Sequence, residues 1–248
     1  DVVEGLRFVQ NNIKSFGGDP SKVTVAGESS GAMNTCLLGY SQKAQGLFHQ
    51  LILESGACTG PWFGPTFTTR DSFNVSSIFA NNVLNRSMSR TSNDTSNDRH
   101  ETTLERLRDL DVNTIVNNKN FGTMNYGLDH YFLLSRPRDG EMIFNGNIIL
   151  GGNSGDTTCR SSGSVPTAPN NYNDLIATLK IYFGNDYKII LNNYIGHFSI
   201  NTATDYDYKE LFFNMSRDSG VTCPTLWLAK RLTKLNYNRS IYLYEFAF

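Results

Sequence analysis

The stretch VTVAGESSGAMNTCLL, residues 23–38, decides the fold that this sequence predicts. Residues 23–27 are small or β-branched, which is typical of a short buried strand, and the small residues from Ser30 to Ala32 lead into a helix that runs through residue 38. Between the two stands Gly27-Glu28-Ser29-Ser30-Gly31, a G-x-S-x-G pentapeptide. The stretch therefore predicts a strand that turns sharply into a helix, with Ser29 at the turn.

A strand, a sharp turn and a helix are the context in which G-x-S-x-G presents a nucleophilic serine. Such a turn crowds the backbone, so we expect Gly27 and Gly31 to be needed because they carry no Cβ. Ser29 is then exposed at the tip of the sheet, and the backbone N–H of Ser30 can point at a developing oxyanion. As a bare pentapeptide the motif occurs by chance in many proteins, so the flanking sequence decides.

Helices and strands alternate on both sides of this stretch. Apolar residues at steps of three and four between Val2 and Phe16 predict an amphipathic helix before the first strand. Three further segments are typical of strands: 51–53, 147–150 and 241–246. Further helices are predicted over 78–84, 104–116, 175–182, 187–194 and 206–235, the last broken near Gly220. The alternation predicts a mostly parallel α/β sheet flanked by helices.

The middle of the chain departs from this pattern. Residues of about 65–135 are predicted to form a helical and loop insertion, within which 85–101 are a polar mixture with few apolar side chains. Such a segment cannot bury enough apolar surface to order itself and is expected to be a surface loop. We expect residues 1–248 to form one partial domain carrying this insertion.

The composition excludes several classes of protein. The formal net charge is −1 over 248 residues and the basic residues are scattered, so no nucleic-acid partner is indicated. No stretch approaches the roughly 18 apolar residues that a membrane span needs. The four cysteines lack close metal-type spacing, so neither a zinc site nor another metal is expected. Asp1 is not an initiator Met and Phe248 ends a strand-like run, so both ends are expected to be cuts through a larger protein.

The flanking sequence resembles one family closely. Residues 16–31, FGGDPSKVTVAGESSG, resemble the serine active-site signature of the type-B carboxylesterase and cholinesterase family at every position. The resemblance continues at residues 46–56, 138–140 and 222–224 and covers nearly the whole chain, patchily between about 65 and 130. It implies an α/β-hydrolase fold truncated at both ends, and hydrolysis of small-molecule carboxylic esters without a cofactor.

The resemblance also assigns a catalytic acid. A serine hydroxyl needs a histidine base, the histidine needs a carboxylate, and in this fold the three occur in the order serine, acid, histidine. The family's acid loop resembles Asn153-Ser154-Gly155-Asp156, which makes Asp156 the expected acid. Many members carry Glu there, and the usual following glycine is Thr157 here. An Asx turn or helix cap is the alternative role of Asp156, and Glu141 is the rival acid.

The family places its histidine after the strand that residues 241–246 resemble, so the base is expected beyond Phe248. His197 is the alternative base, although its surroundings match no histidine loop of the family and a helix-end or surface role is expected. The other histidines, His49, His100 and His130, are expected to be structural or on the surface. The family's Gly-Gly oxyanion donors are expected upstream of Asp1.

Pocket residues and disulfides complete the expectations. By resemblance, Glu28, Ser55 and Trp62 belong to the substrate pocket, Trp62 as an acyl-pocket aromatic, although such aromatics are as often core residues. Cys58 and Cys159 both follow active-site strands, and a bridge between them is a hypothesis. Cys36 is expected to be a buried free thiol, and Cys223 matches a family cysteine whose partner lies beyond this C-terminus.

Two alternatives to an esterase stay open. The family includes adhesion and binding domains that kept the fold and lost catalysis, and an intact G-x-S-x-G argues against that alternative here. The second alternative is a fragment without independent function. The resemblance favours a secretory or extracellular location, while the substrate and the oligomeric state are left open.

Overall fold

The computed structural model describes residues 1–60, 67–84, 104–117, 127–156, 168–195, 204–235 and 239–247. The chain divides into two compact units, which we name the sheet unit (Asp1–Trp62 with Pro137–Phe248) and the insertion unit (Phe63–Arg136). In chain order the strands are β1 (Thr24–Glu28), β2 (Gln50–Glu54), β3 (Phe67–Thr68), β4 (Gly127–Leu128), β5 (Asn147–Asn153) and β6 (Ile241–Phe246). The helices treated below are α1 (Val2–Asn12), α2 (Ser30–Leu38), α3 (Thr69–Val83), α4 (Val112–Val116), α5 (Tyr172–Phe183), α6 (Tyr187–Ile195), α7 (Asp205–Arg217) and α8 (Cys223–Lys234).

The sheet unit is built on a four-stranded sheet in the order β1-β2-β5-β6. All three neighbouring pairs are parallel. Helices occur between consecutive strands of this sheet, as parallel strands require a crossover connection. The parallel α/β sheet flanked by helices that the sequence predicts is therefore confirmed.

Alternating apolar residues hold the sheet against its helices. Leu51 and Leu53 of β2 stand in register with Ile148 and Leu150 of β5, and all four side chains are buried. Helix α2 packs on β1 and β2, while α8 packs on β5 and β6. Because each fully buried aliphatic side chain contributes roughly 1.5–3 kcal/mol, this layer is a substantial source of stability for the sheet unit.

Helices α5, α6 and α7 share a second apolar cluster in the same unit. Its buried members are Leu175, Leu179, Leu191, Tyr208, Leu211, Phe212 and Met215. The rings of Tyr182 and Phe212 meet edge-on with centroids 5.4 Å apart, a favourable aromatic geometry. This cluster anchors α7, which leads toward the carboxyl ends of the strands.

The helical stretch from α7 to α8 differs from the prediction at one point. The sequence predicts a break near Gly220, but the chain stays helical there through the π-helical turn Asp218–Thr222, in which Gly220 is buried. π-helical turns of this kind widen a helix by one residue and occur often at functional sites. The turn joins α7 to α8 without an interruption of the helical path.

The insertion unit contains α3, α4 and a short parallel pair formed by β3 and β4. Helix α3 begins at Thr69, nine residues before the start predicted from residues 78–84. Its early turns are polar, so apolar periodicity alone does not reveal them. The polar stretch 85–101 lies outside the described residues.

A disulfide bond joins Cys36 of α2 to Cys58, which lies four residues after β2. The two α-carbons are 5.6 Å apart and both side chains are buried. The expected bridge between Cys58 and Cys159 is therefore wrong, and so is the expected free thiol at Cys36. The chain leaving β2 crosses the buried side of α2, which brings Cys58 onto Cys36, and Cys159 lies outside the described residues.

Candidate active site

A tight turn connects β1 to α2, and we name residues 27–31 the Ser29 turn. β1 ends at Glu28 and α2 begins at Ser30, so one residue makes the whole reversal. Ser29 has φ 53° and ψ −119°, a region that residues with a Cβ rarely adopt. Such strained backbone persists only where the surroundings enforce it, and it clusters at functional sites.

Close backbone packing enforces this conformation. A Cβ on Gly27 would stand 2.8 Å from the amide nitrogen of Ala32 and closer still to the carbonyl group of Gly31. On the other side, a Cβ on Gly56 would stand 3.0 Å from the Ala32 Cβ and closer still to the carbonyl oxygen of Ser29. A Cβ on Gly31 would meet no atom within 4 Å, so the expectation that this glycine is also sterically required is wrong.

The Ser29 hydroxyl is not used as a helix cap. Ser29 occupies the N-cap position of α2, yet its side chain makes no capping hydrogen bond. By contrast, Asn171 and Thr204 do cap α5 and α7 through their side-chain oxygens. The serine is exposed, and the N–H of Ser30 belongs to the first helical turn, where amides lack intrahelical acceptors. An exposed hydroxyl therefore stands beside amides of a helix N-terminus.

The carboxylate of Asp156 closes the turn after β5, and we name residues 153–156 the Asp156 turn. Its Oδ2 accepts the backbone N–H of Asn153 at 2.8 Å, and its Oδ1 accepts the Asn153 side-chain amide at 3.0 Å. The backbone N–H of Asp156 donates in turn to the Asn153 carbonyl oxygen. Asp156 is half-buried, so its orientation is set by these bonds while part of the carboxylate still faces solvent.

Strand register brings the two turns to one edge of the sheet. Glu28 is the register partner of Glu54, and Glu54 is the partner of Gly151. The Ser29 N–H donates to the Glu54 carbonyl at 2.9 Å. Because the three strands are parallel and neighbouring, Ser29 and the Asp156 turn both follow the carboxyl ends of their strands.

Ser55 links the ends of β2 and β5 at this edge of the sheet. Its N–H donates to the Gly151 carbonyl at 2.8 Å, and its φ of 53° is also positive. A Cβ on Gly152 would stand 3.6 Å from the Ser55 Oγ and 2.7 Å from Oδ2 of Asp156. Ser55 therefore lies between the Ser29 turn and the Asp156 turn.

Tyr244 of β6 shares this acidic environment. Partial burial raises the pKa of the Tyr244 phenol, and the negative charges of Glu54, Asp156 and Glu28 raise it further. The ring lies over Gly151, whose missing Cβ makes room for it. Three carboxylates from three different strands or strand ends thus act on one phenol, which places Glu28 and Asp156 in a common electrostatic field.

A cleft of about 290 Å³ opens beside the Asp156 turn. Its lining comes from the ends of β5 and β6, from the π-helical turn and from α8: Gly151, Gly152, Asn153, Val221, Thr222, Thr225, Leu226, Leu243, Tyr244 and Glu245. Over the described ranges we find no group of three or more His, Cys, Asp or Glu residues that could hold a metal ion. Within the same ranges, no helix has both the length and the apolar character that crossing a membrane requires.

Other predicted site residues lie elsewhere. His49 precedes β2, where its Nδ1 accepts the Val23 N–H at 3.2 Å, so it stands at the amino edge of the sheet. Glu141 precedes β5 and is exposed on that same amino side. His130 belongs to the insertion unit. Outside the described residues lie Trp62, His100, Cys159 and His197.

Sequence reasoning did not single out Tyr244 or Arg217, although both contact this region. The Arg217 guanidinium donates to the Ser154 carbonyl oxygen in the Asp156 turn, across a sequence separation of 63 residues. No local pattern signals such a contact, because it depends on how α7 passes the end of β5.

Comparison with known proteins identifies the family of this chain. The family model described as the carboxylesterase family matches residues 1–248. Human Carboxylesterase 5A is 52% identical over 62 residues, which cover 25% of this chain and 11% of that relative. The matched segment thus spans about a ninth of the relative's length. The family model matches the chain over its whole length, and the chain folds into a parallel sheet flanked by helices. The chain therefore belongs to the carboxylesterase family and has its α/β-hydrolase fold.

Proposed function

We propose that the protein hydrolyses carboxylic esters through an acyl-enzyme formed on Ser29. One observation carries the proposal: Ser29 is exposed in a strained backbone conformation at a helix N-terminus, and its hydroxyl does not cap that helix. A serine used only for structure would gain stability by capping α2, whereas a nucleophile needs a hydroxyl that is free to attack. In this proposal the Ser29 turn is a nucleophile elbow.

The reaction proceeds in two steps. Ser29 Oγ attacks the ester carbonyl carbon while a base takes its proton, and the Ser30 N–H helps to hold the resulting oxyanion. The tetrahedral intermediate collapses, the C–O bond to the alcohol breaks, and the base returns the proton to the departing alcohol. Water then attacks the acyl-enzyme by the same route and releases the acid. No metal or organic cofactor takes part.

Asp156 is the proposed acid of the triad. It orients the histidine and stabilises the imidazolium that forms during attack. Its position after β5, at the same sheet edge as Ser29, supports this role, as does the proximity of both turns to Ser55. The rival acid, Glu141, precedes β5 and so lies toward the opposite edge.

The proposed base is a histidine that follows β6 in the longer protein, where the family resemblance puts it. His49 does not suit the role because it stands at the amino edge of the sheet, bonded to Val23. The cleft beside Asn153 and Tyr244 leaves space next to the Asp156 turn, which supports the arrival of a further segment there.

The proposed substrates are small-molecule esters. Glu28 and Ser55 are proposed pocket residues because they border the Ser29 turn, and Trp62 stays a proposal from the resemblance. The buried disulfide between Cys36 and Cys58 supports folding in an oxidising compartment, and hence a secretory or extracellular location.

Active-site labelling tests the proposal on the full-length natural protein that carries these residues. A biotinylated fluorophosphonate is expected to label the tryptic peptide 23–43 on Ser29, and the protein is expected to hydrolyse p-nitrophenyl acetate. Ser29→Ala should abolish labelling and lower kcat on the order of 10⁴-fold or more. Ser240→Ala, an exposed serine at the start of β6, is the matched control and should leave both unchanged.

Two results would overturn the proposal. A full-length protein that neither reacts with the probe nor hydrolyses the ester favours the non-catalytic binding domain. Hydrolysis that survives in the Ser29→Ala variant assigns the activity to another residue.

A further inference from the structure

Two hydrogen bonds to the backbone of Ser154 connect the Asp156 turn to other parts of the sheet unit. The Ser154 N–H donates to the Phe246 carbonyl of β6 at 3.0 Å, and the Ser154 carbonyl accepts Nη1 of Arg217 at 2.7 Å. The bonds between Asn153 and Asp156 shape the turn internally but do not fix its place relative to the sheet. The tip of the turn is therefore tied both to β6 and to the end of α7.

The Arg217 side chain is itself held in place. Its Nε and Nη2 donate to Oδ1 of Asp218 at 3.2 and 3.1 Å, which fixes the plane of the guanidinium. The hydroxyl of Tyr194 donates to the other oxygen, Oδ2, of Asp218 at 2.7 Å. Burial raises the pKa of Tyr194, and its bond to Asp218 raises it further, so the phenol stays a donor at neutral pH. The Arg217 and Asp218 side chains are 25% and 24% exposed.

The π-helical turn contacts the end of β5 that leads into the Asp156 turn. Val221 of that turn lies against Gly152, because a Cβ on Gly152 would stand 2.9 Å from Cγ1 of Val221. Asp218, at the start of the turn, orients Arg217. One helical segment therefore supports the Asp156 turn at its tip through Arg217 and at its base through Val221.

A direct electrostatic role for Arg217 is not favoured. Its charge is paired with Asp218 at 3.1 Å, so the field that it projects toward Asp156 is largely cancelled. Its bond to the turn goes to a backbone carbonyl, which fixes geometry. We propose that Arg217, oriented by Asp218 and Tyr194, is a positioning residue that sets where the Asp156 carboxylate meets the catalytic base; the inference rests on the proposed function.

A double-mutant cycle in the full-length protein tests this inference. Arg217→Ala and Asp156→Asn are made singly and together, and hydrolysis of p-nitrophenyl acetate is measured from pH 5 to 9. Since small displacements of catalytic groups cost up to about 100-fold, Arg217→Ala should lower kcat roughly 10- to 100-fold with little change in KM. It should also lower the apparent pKa of the base in the profile of kcat/KM, because a displaced carboxylate stabilises the imidazolium less. In the Asp156→Asn background the same substitution should change kcat less than about twofold.

Arg231 provides a matched control. It donates to three backbone carbonyls, those of Arg138 at 2.6 Å, Asp139 at 3.4 Å and Gly140 at 2.7 Å, on the amino side of β5. Arg231→Ala should lower the thermal midpoint as Arg217→Ala does, yet leave the pH profile unchanged. Tyr194→Phe is a milder variant should Arg217→Ala fail to fold, and a smaller shift in the same direction is expected.

The outcomes separate the two proposals. An inactive wild-type protein, or one indifferent to Ser29→Ala, overturns the proposed function and this inference with it. An active wild-type protein in which Arg217→Ala costs the same factor with and without Asp156, or leaves the pH profile unmoved, overturns the positioning role alone.

Discussion

Gly27 and Gly31 meet across the Ser29 turn, and the contact is one-sided. The α-carbon of Gly27 faces the carbonyl group of Gly31 so closely that a Cβ at residue 27 has no space, while a Cβ at residue 31 would point into open space. The two glycines of the motif therefore have different physical roles. Gly27 permits the close approach of β1 and α2, and Gly31 leaves room above the first helical turn.

Because only Gly27 lacks space for a Cβ, we expect different effects from alanine substitutions at Gly27 and Gly31. Gly27→Ala should destabilise the protein by roughly 1–3 kcal/mol and abolish fluorophosphonate labelling, because the turn must open to admit the methyl group. Gly31→Ala should keep the free energy of unfolding within about 1 kcal/mol of the wild-type value, since alanine is the better helix former. Urea unfolding of both variants measures this. Equal destabilisation by the two substitutions would contradict the contact.

A substitution at Gly152 should displace the carboxylate of Asp156. In Gly152→Ala the new Cβ would stand 2.7 Å from Oδ2 of Asp156 and 2.9 Å from Val221, so the flexible carboxylate must move. We expect kcat to fall roughly tenfold or more with a loss of stability of about 1–3 kcal/mol. Gly5→Ala, in α1 with no atom within 4 Å, is the control and should stabilise by about 0.5–1 kcal/mol. Unchanged kcat in a folded Gly152→Ala variant would argue against Asp156 as the acid.

The pairing of Cys36 with Cys58 can be tested by peptide mapping. Without reduction, trypsin should release peptide 23–43 linked to peptide 44–70, since these carry Cys36 and Cys58. A link between peptides 44–70 and 139–160 would instead favour Cys159 as the partner. Mass spectrometry before and after reduction distinguishes the two pairings.

Removal of this bond should cost stability. The closed loop spans a sequence separation of 22 residues, for which chain entropy suggests a loss of about 2–4 kcal/mol in the Cys36→Ala/Cys58→Ala variant. Ser240→Ala changes an exposed side chain just before β6 and should leave the free energy of unfolding unchanged. Denaturant unfolding of both variants under non-reducing conditions gives the comparison.

In the insertion unit, we expect Asp129 to make the stability of the fold depend on pH. Partial burial alone would raise the pKa of its carboxyl, but N–H donors from Leu133, Phe132 and Tyr131 outweigh burial and lower the pKa below its ordinary value. Its contribution to stability is therefore present above the unfolded-state pKa and is lost as pH falls through the lower folded-state pKa.

Asp129→Asn keeps an accepting side-chain oxygen and removes the titration. We expect the unfolding midpoint of the variant to change less than that of the wild type as pH falls from 5 to 2. Hydrogen exchange at the amides of Tyr131, Phe132 and Leu133 localises the effect. Parallel pH curves for the two proteins would contradict this account.

Local periodicity was enough to predict the alternating elements of the sheet unit. The strands centred on residues 26, 52, 150 and 243 carry short apolar runs, which are visible in the sequence without knowledge of the tertiary structure. Helix α3 was only partly foreseen because its first turns are polar. The π-helical turn was not predicted because Gly220 disfavours an α-helix, whereas in the structure Gly220 is buried and the chain stays helical through it.

The sequence alone was enough to predict the family, the alternation of helices and strands typical of a parallel sheet, and a reactive serine at position 29, because each of these is signalled by runs of contiguous residues. The three-dimensional fold was needed to show that Cys58 pairs with Cys36, that Gly27 is sterically required and Gly31 is not, and that Arg217 contacts the Asp156 turn. These contacts join residues far apart in the chain, or depend on gaps of a fraction of an ångström. Helix packing and strand register create them, and no local pattern encodes either.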